Sequence, residues 1–572
     1  MAVTSCVACI VGIMYVRTTQ QRRMDGRVVR YLQLAESYRN ESGQTVARVI
    51  SHLGREDEVD RAGLERLVRS VGRFLGSQPA AAISGEPFGG ADGFALEGAW
   101  EVGGPHVVAS LWDELGIAKT LRRAARRGRY TTDVERAVLV MVCQRMLEPG
   151  SKLEATRWLR DEIRLAGVAE VSDDQLYRAM DFLLEEAEAV MESVFFSVAD
   201  LLNLEVDLVF FDSTSTYFEA DPDDDPADDG TAAEAPLRRL GHSKDHRPDL
   251  PQVVIGLAVT KEGIPVRCWV WPGNTSDQTV VEQVRNDLRG WQLGRSVLVC
   301  DSGFSSRENL AYLTRGGGHY LSGIKMRSGV ADVEEALSRQ GRYVKVADSL
   351  AVKEVWVKRG AAGERRFIVC KNTDESRRDK ATRDQHLARI EAELSAIRAL
   401  DADAHHKREC ALRAHPSLGR YLRQTPTGRL ALDRAKITAE ERLDGKYLIE
   451  TSDRTLPAAD AALAYKNLQQ AERGFRDLKG RIELRPVYHR LDQRIRSHVL
   501  VCFLALLLVR VAETRTGQTW PAQRRILRRI KLARFSSKDG RFDQRPNLDA
   551  EQKSLLNALN VAEPARVAQL SV

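Results

Sequence analysis

The sequence predicts a mixed α/β fold, built from short buried strands and amphipathic helices. Two short apolar runs, 206–211 and 295–300, have the composition of buried strands, and an aspartate follows each of them. Helical and strand patterns alternate around these runs. A chain of 572 residues is too long for one ordinary core, and 43% hydrophobic with 29% charged residues exclude a mainly disordered protein. Several folded domains are therefore expected.

The N-terminal part predicts a small hairpin and helix module over residues 28–76. Val28–Ser37 and Thr45–Leu53 have strand-like composition and flank a turn-prone segment, which favours a β-hairpin. Residues 57–76 carry apolar side chains at helical spacing, which predicts a helix after the hairpin.

An extension precedes this module, and a linker and a helical region follow it. Residues 1–27 are interpreted as an N-terminal extension, in which Met14 is an alternative start. The stretch 76–104 is rich in Gly, Ala and Pro, which predicts a linker. Residues 105–204 show helical periodicity and arginine-rich patches. They could include a helix-turn-helix that reads DNA, although helical packing without any ligand fits the pattern equally well.

The region 205–327 is predicted to be the first part of a catalytic domain. Its first strand ends at the first aspartate. After it we expect, in order, a hairpin, a helix, the second apolar strand, another helix and a last strand. The two hairpin strands are expected at 252–260 and 266–271. The two helices are expected at 277–289 and 306–315, and the last strand at 320–325.

The remaining sequence predicts an insertion, a second catalytic part and a basic tail. Residues 328–442 mix strand-like pieces with a long charged helix, so we interpret them as an inserted α+β subdomain. Residues 443–513 return to the earlier pattern, with helices near 458–479 and 491–512. The apolar run in the second helix is too short to cross a bilayer and predicts a core helix. Residues 514–572 are expected to form a basic C-terminal tail.

Three carboxylates have the arrangement of a metal site. Asp212 and Asp301 each follow an apolar run that has no other reason to contain charge, and Glu472 lies much later on a predicted helix. Two carboxylates about 4 Å apart repel by roughly 4 kcal/mol at an effective dielectric near 20, so a converging set requires cations. Because the ligands would all be oxygens, Mg²⁺ or Mn²⁺ is favoured over zinc.

These residues resemble the DDE transposases of bacterial insertion sequences, in the branch whose last motif is Y-x2-R-x3-E-x6-K. Tyr465, Glu472 and Lys479 have that spacing, while Leu468 replaces the usual arginine. Four other segments are similar to this branch, and the resemblance extends from about residue 28 to about residue 513. The segments are Phe211–Thr214, Gly241–Asp249, Pro272–Asp277 and Cys300–Phe304.

The resemblance implies a ribonuclease-H-like catalytic domain and a DNA transposase. Asp212, Asp301 and Glu472 would then hold two Mg²⁺ or Mn²⁺ ions, which serve cleavage at the element ends and transfer of 3′-hydroxyls to target DNA. A DNA-binding repressor that has lost catalysis and a stand-alone metal nuclease of the same superfamily are the alternatives.

Double-stranded DNA, at terminal inverted repeats and target sites, is the expected partner of a homodimer. Ten Lys or Arg against two acids between Arg515 and Arg545 favour a polyanion partner. The expected DNA contacts are Tyr465, Lys479, Arg473, Arg476, Lys244, Arg247, Arg524, Arg525, Arg528 and Arg529. Scattered cysteines and the lack of a recognisable signal sequence predict a cytoplasmic, nucleoid-associated protein without a membrane partner.

Overall fold

Two compact units make up the chain, one within residues 1–93 and the other within 94–572. The computed structural model describes residues 13–22, 28–39, 45–55, 95–204, 206–219, 236–291, 293, 296–327, 329–358, 363–537 and 540–571.

The first unit contains a three-stranded antiparallel sheet with β2 in the middle. Its strands are β1 (Ile13–Arg22), β2 (Val28–Arg39) and β3 (Thr45–Arg55). The predicted hairpin is confirmed as β2 and β3. Interpreting residues 13–22 as part of an extension was wrong, because this segment, rich in β-branched residues, pairs along its whole length with β2. The helix predicted over 57–76 lies outside the described residues.

A strand and six helices begin the second unit. The strand β4 covers Ala95–Glu101, and the helices α1 to α6 cover Gly103–Glu114, Ile117–Arg127, Val134–Leu147, Lys152–Asp161, Asp173–Glu185 and Ala187–Leu201. The helical prediction for 105–204 is confirmed. The linker prediction was wrong for residues 95–104, because β4 pairs with a strand near the C-terminus and α1 starts at once after it.

The central sheet is built around five strands. They are β5 (Leu208–Tyr217), β6 (Gln252–Val259), β7 (Pro265–Pro272), β8 (Val297–Cys300) and β9 (His319–Ile324), with α7 (Val281–Gly290) and α8 (Arg307–Leu313) between them. β5, β6 and β7 are antiparallel neighbours, whereas β8 runs parallel to β5 and β9 runs parallel to β8. The order β7-β6-β5-β8-β9 is that of a ribonuclease-H-like sheet, as the family resemblance implied.

The insertion extends this sheet and also forms a small helical core. Its elements are α9 (Ala331–Ser338), β10 (Val344–Lys345), β11 (Leu350–Lys358), β12 (Glu364–Asn372), α10 (Thr373–Ile397), α11 (Ala402–Ala414), β13 (Leu422–Gln424), β14 (Leu430–Leu432) and α12 (Arg434–Glu441). The next strand, β15 (Lys446–Thr451), joins β9 to β12, so one sheet has nine strands. The insertion has the α+β content that the sequence predicted, and its strands β10 to β12 lengthen the central sheet. The helices α10 to α12 and the β13–β14 hairpin build a core around Ile390, Tyr421 and Ile437, and α9 forms another with β11, β12 and β15.

The C-terminal part contains five helices and three strands. They are α13 (Ala458–Lys466), α14 (Gln469–Gly480), α15 (Asp492–Thr516), α16 (Trp520–Leu527), β16 (Lys531–Ser537), β17 (Gly540–Gln544), α17 (Ala550–Ala558) and β18 (Val567–Ser571). The expectation of a basic tail was wrong, because β16, β17 and β18 form a four-stranded sheet with β4. The single helix expected over 458–479 is divided by tight i to i+3 hydrogen bonds at Asn467 and Leu468.

The helix α15 joins the helical region to the catalytic sheet. It packs against α3, α5 and β7, and Ser497 on α15 donates a hydrogen bond of 2.6 Å to the Met180 carbonyl on α5. This helix alone, among the described residues, is long and apolar enough to cross a membrane, yet 94% of its most apolar window is buried inside the protein. It is the core helix that the sequence predicted, and it fixes the helical region on the sheet.

Candidate active site

Asp212 and Asp301 lie side by side at one edge of the parallel strand pair. The last paired residues of β5 and β8 are Phe211 and Cys300, and each aspartate is the next residue along its strand. Neighbouring strands lie about 4.8 Å apart, so the two carboxylates leave the sheet as neighbours. The sequence predicted that β5 would end at Asp212, which was wrong, because β5 continues to Tyr217 by pairing with β6.

Each aspartate accepts a hydrogen bond from the backbone that follows it. Asp212 accepts from the N–H of Ser213 at 2.7 Å, and Asp301 accepts from the N–H of Ser302 at 2.6 Å. The Tyr465 hydroxyl, on α13, donates to Asp301 at 3.2 Å. The structure therefore brings Tyr465 into contact with one predicted metal ligand.

The surroundings of Asp212 disfavour its charged form. Burial raises the pKa of Asp212 to about 6; Asp301 and Asp277 act in the same direction, whereas the Lys244 ammonium and the Ser213 N–H oppose the change. The excess negative charge at this edge is what a bound cation would neutralise.

A third acid beside the pair, Asp277, was not among the predicted site residues. Its carboxylate accepts a hydrogen bond of 2.5 Å from the Ser213 hydroxyl and pairs with the Lys244 ammonium at 3.3 Å. Lys244 also donates to the carbonyl and the hydroxyl of Ser213, both at 2.8 Å. The lysine that we expected to contact DNA thus directs its charge into the carboxylate cluster. The available sequence signal was the Pro272–Asp277 segment of the resemblance.

The residues at this edge fit a divalent cation. Asp212 and Asp301 offer only oxygen ligands, which suit Mg²⁺ or Mn²⁺, and their mutual repulsion calls for positive charge. Within the described part of the chain, no group of three or more His, Cys, Asp or Glu side chains has the arrangement of a metal site. The described structure thus assembles two of the three predicted ligands.

Glu472 lies exposed on α14 and is not part of that pair. The helix packs across β5 and β6. The helix comes close to the sheet at Gly474, where an added Cβ would lie 2.8 Å from the Leu257 side chain. Leu257 on β6 is the residue that pairs with Asp212 on β5. Glu472 precedes Gly474 by two residues, so it lies close in sequence to the part of α14 that packs beside Asp212.

Basic side chains near the carboxylates are engaged with acids of the chain itself. Lys479 donates to both oxygens of Asp245 at 3.0 Å, and Arg485 pairs with the same carboxylate at 2.9 Å. Burial lowers the pKa of Lys479, while Asp245 opposes that change. Arg247 forms an exposed pair with Asp249 at 2.7 Å. Sequence reasoning missed Asp245 and Arg485, whose partners are distant in sequence.

The other predicted DNA contacts lie on α14 and in the C-terminal part. Arg473 pairs with Glu513 at 2.9 Å, and Arg476 is exposed. Leu468, in the place of the usual arginine, is buried at the break between α13 and α14.

The arginine cluster around α16 is mostly paired within the chain. Arg524 and Arg528 lie 2.7 Å from Glu148 and 3.8 Å from Glu101, respectively. Arg529 lies within 3.0 Å of both Asp549 and Glu551, and Arg525 is exposed. Charge alone predicted this cluster to be free for DNA, but acids from distant segments pair with three of its four members.

A ribonuclease-H-like sheet with adjacent aspartates at the edge of its parallel strands defines a metal-dependent phosphoryl-transfer enzyme that acts on nucleic acid. Comparison with known families agrees. The description "IS1634 family transposase, N-terminal domain" matches residues 16–82, and "Transposase DDE domain" matches residues 209–508, which is more than half of the chain. The chain belongs to the DDE transposases of bacterial insertion sequences. It is a DNA transposase, of a family that uses divalent metal ions.

The piggyBac transposase, in a synaptic complex with hairpin DNA, is similar with a TM-score of 0.35 and 8% identity, over 74% of this chain and 79% of the other. No protein among the curated sequences matches the chain.

Proposed function

We propose that this transposase cleaves DNA at the ends of an insertion sequence and joins the 3′-hydroxyls to target DNA, with Asp212, Asp301 and Glu472 as its catalytic carboxylates. The observation that carries the proposal is the position of Asp212 and Asp301, each directly after the last paired residues of two parallel strands. Both side chains point the same way from a rigid sheet, which suits ligands that must keep a fixed separation.

Two Mg²⁺ or Mn²⁺ ions are the proposed cofactors, held by the three carboxylates. Such a pair, when bound, activates the attacking hydroxyl and stabilises the leaving oxygen of an in-line displacement. Asp212 is the inner ligand, because it is only partly exposed, whereas Asp301 is exposed where DNA approaches. The Tyr465 hydroxyl orients Asp301 through its 3.2 Å hydrogen bond.

Glu472 joins the two aspartates by a movement of α14. The tight turns at Asn467 and Leu468 separate α14 from α13, so α14 can shift while Tyr465 stays on Asp301. The Lys479–Asp245 pair ties the far end of the helix to the loop that follows β5. A phosphate of bound DNA competes with Asp245 for Lys479 and so favours this movement.

DNA binds to side chains near the carboxylates and on α14, and to the arginine cluster around α16. The proposed contacts, besides Lys479, are Tyr465, Arg473, Arg476, Arg247, Arg524, Arg525, Arg528 and Arg529. Lys244 is assigned to the carboxylate cluster instead, because its ammonium bonds to Ser213 and Asp277. Two copies of the chain pair the two ends of the element, which makes the active assembly a homodimer on DNA.

The test uses labelled duplex DNA that carries the inverted repeat flanking the coding region, with Mg²⁺. Asp212→Asn, Asp301→Asn and Glu472→Gln are each expected to abolish cleavage and strand transfer, while a gel-shift assay shows retained DNA binding. Asp348→Asn, a fully exposed acid in the insertion, is the matched control and should cleave normally. Undiminished Mg²⁺-dependent cleavage by any of the three site variants would contradict that residue's role.

A further inference from the structure

Asp277 connects the two segments that carry the paired aspartates. Its Oδ1 accepts from the hydroxyl of Ser213, the residue next to Asp212. On the other side, an added Cβ on Gly303 would lie 3.2 Å from Oδ2 of Asp277, which places this carboxylate against the turn that follows Asp301. One side chain thus touches both the residue after Asp212 and the turn after Asp301.

The residue after Asp277 strengthens the same connection. Gln278 donates from its side-chain amide to the Gly303 carbonyl. Asn309, at the start of α8, donates to the Gln278 carbonyl at 2.9 Å. The loop before α7 is therefore held to the Asp301 turn by hydrogen bonds as well as by close packing.

Lys244 completes the network from the opposite side. Its ammonium lies 2.8 Å from the Ser213 carbonyl and hydroxyl and 3.3 Å from Asp277. The Ser213 side chain is buried, with 2% of the residue exposed, so its hydroxyl has a fixed position between the acid and the lysine. A buried hydroxyl with two charged partners is held more firmly than either partner alone could hold it.

We propose that Asp277 is a positioning residue, which acts through Ser213 and Lys244 to hold Asp212 at the separation from Asp301 that metal binding requires. The inference rests on the proposed function, because it presupposes that Asp212 and Asp301 hold the metal. Residues that support metal ligands typically change metal affinity by about 10- to 100-fold when they are removed. Asp277 belongs to that class of residue.

The experiment measures Mn²⁺ binding to the full-length protein without DNA, by isothermal titration calorimetry. Asp277→Ala is expected to weaken binding by about 10- to 100-fold, and Ser213→Ala to weaken it in the same direction without removing any charge. Because both act through one network, the double variant should bind no more weakly than Asp277→Ala. Asp348→Ala, which removes an exposed carboxylate elsewhere, should bind as the wild type does.

Each contrary outcome has a distinct meaning. Wild-type protein that binds no Mn²⁺ would refute the proposed metal chemistry itself. Normal binding by Asp277→Ala would refute only the positioning role. Normal binding by Ser213→Ala would refute it too, because Asp277 would then affect the metal through its charge and not through Ser213. Thermal unfolding checks that each variant folds. If the alanine variant does not fold, Asp277→Leu replaces it, because leucine cannot accept the Ser213 hydrogen bond; wild-type affinity in it would equally overturn the proposal.

Discussion

Replacing Asp212 by asparagine is expected to stabilise the metal-free protein while it abolishes catalysis. The pKa of this carboxyl is raised from 3.8 to about 6 in the folded chain. An acid with a raised pKa favours folding only while it is protonated, so the wild type loses stability as the pH rises from about 4 through 6. At 1.36 kcal/mol for each pKa unit, the loss reaches up to about 3 kcal/mol above pH 6. Asparagine keeps the shape and removes the charge.

Thermal unfolding in EDTA at pH 4 and at pH 8 measures this effect. The two proteins should unfold at similar temperatures at pH 4, and Asp212→Asn should unfold several degrees higher at pH 8. Mg²⁺ should raise the unfolding temperature of the wild type only, because a ligand stabilises the folded state that binds it. If Asp212→Asn unfolds at or below the wild-type temperature at pH 8 in EDTA, the burial of a charged Asp212 is not a source of instability.

Three further predictions follow from single contacts. Gly474→Ala should reduce cleavage, because the new Cβ would lie 2.8 Å from the Leu257 side chain and so displace α14. Gly480→Ala is the control and should cleave normally, because nothing lies within 4 Å of its new Cβ. Equal cleavage by both variants would contradict the role of the contact at Gly474. Arg510→Leu should lower the free energy of unfolding in urea by about 1–3 kcal/mol, since buried Asp477 loses its 2.6 Å partner and keeps Arg481 at 3.2 Å; a loss below about 1 kcal/mol would argue against this. Mn²⁺ affinity, measured by calorimetry, should fall about tenfold per pH unit below about 6, where protons compete for the carboxyl with that pKa; a flat profile would exclude such competition.

The sequence predicted the two aspartates because their signal is local. A charge directly after an apolar run is unusual, and parallel strands bring such positions to one edge, so Asp212 and Asp301 were predictable without any long-range information. The continuation of β5 to Tyr217 was not, because Ser213 to Thr216 are polar in composition and become buried only through pairing with β6.

The contacts of Asp277 and the extension of the sheet could not be predicted, because both form between segments that are distant in sequence. The partner of Asp277, Ser213, lies 64 positions away, and no spacing rule connects them. The strands of the insertion were predicted near their observed sequence positions. Their pairing with β15 was not predicted, because the composition of a strand does not specify which strand it pairs with. Glu472 was identified by motif spacing alone, and its role in the site remains a proposal.

The sheet that joins β4 to β16 has a consequence for synthesis of the protein. Ala95–Glu101 leaves the ribosome early, but the strand with which it pairs, Lys531–Ser537, is among the last segments to be made. At about 5–20 residues per second, the early strand waits on the order of tens of seconds for its partner. A polypeptide whose translation stops before Lys531 cannot complete this sheet, so premature termination yields a product in which β4 lacks its pairing strand.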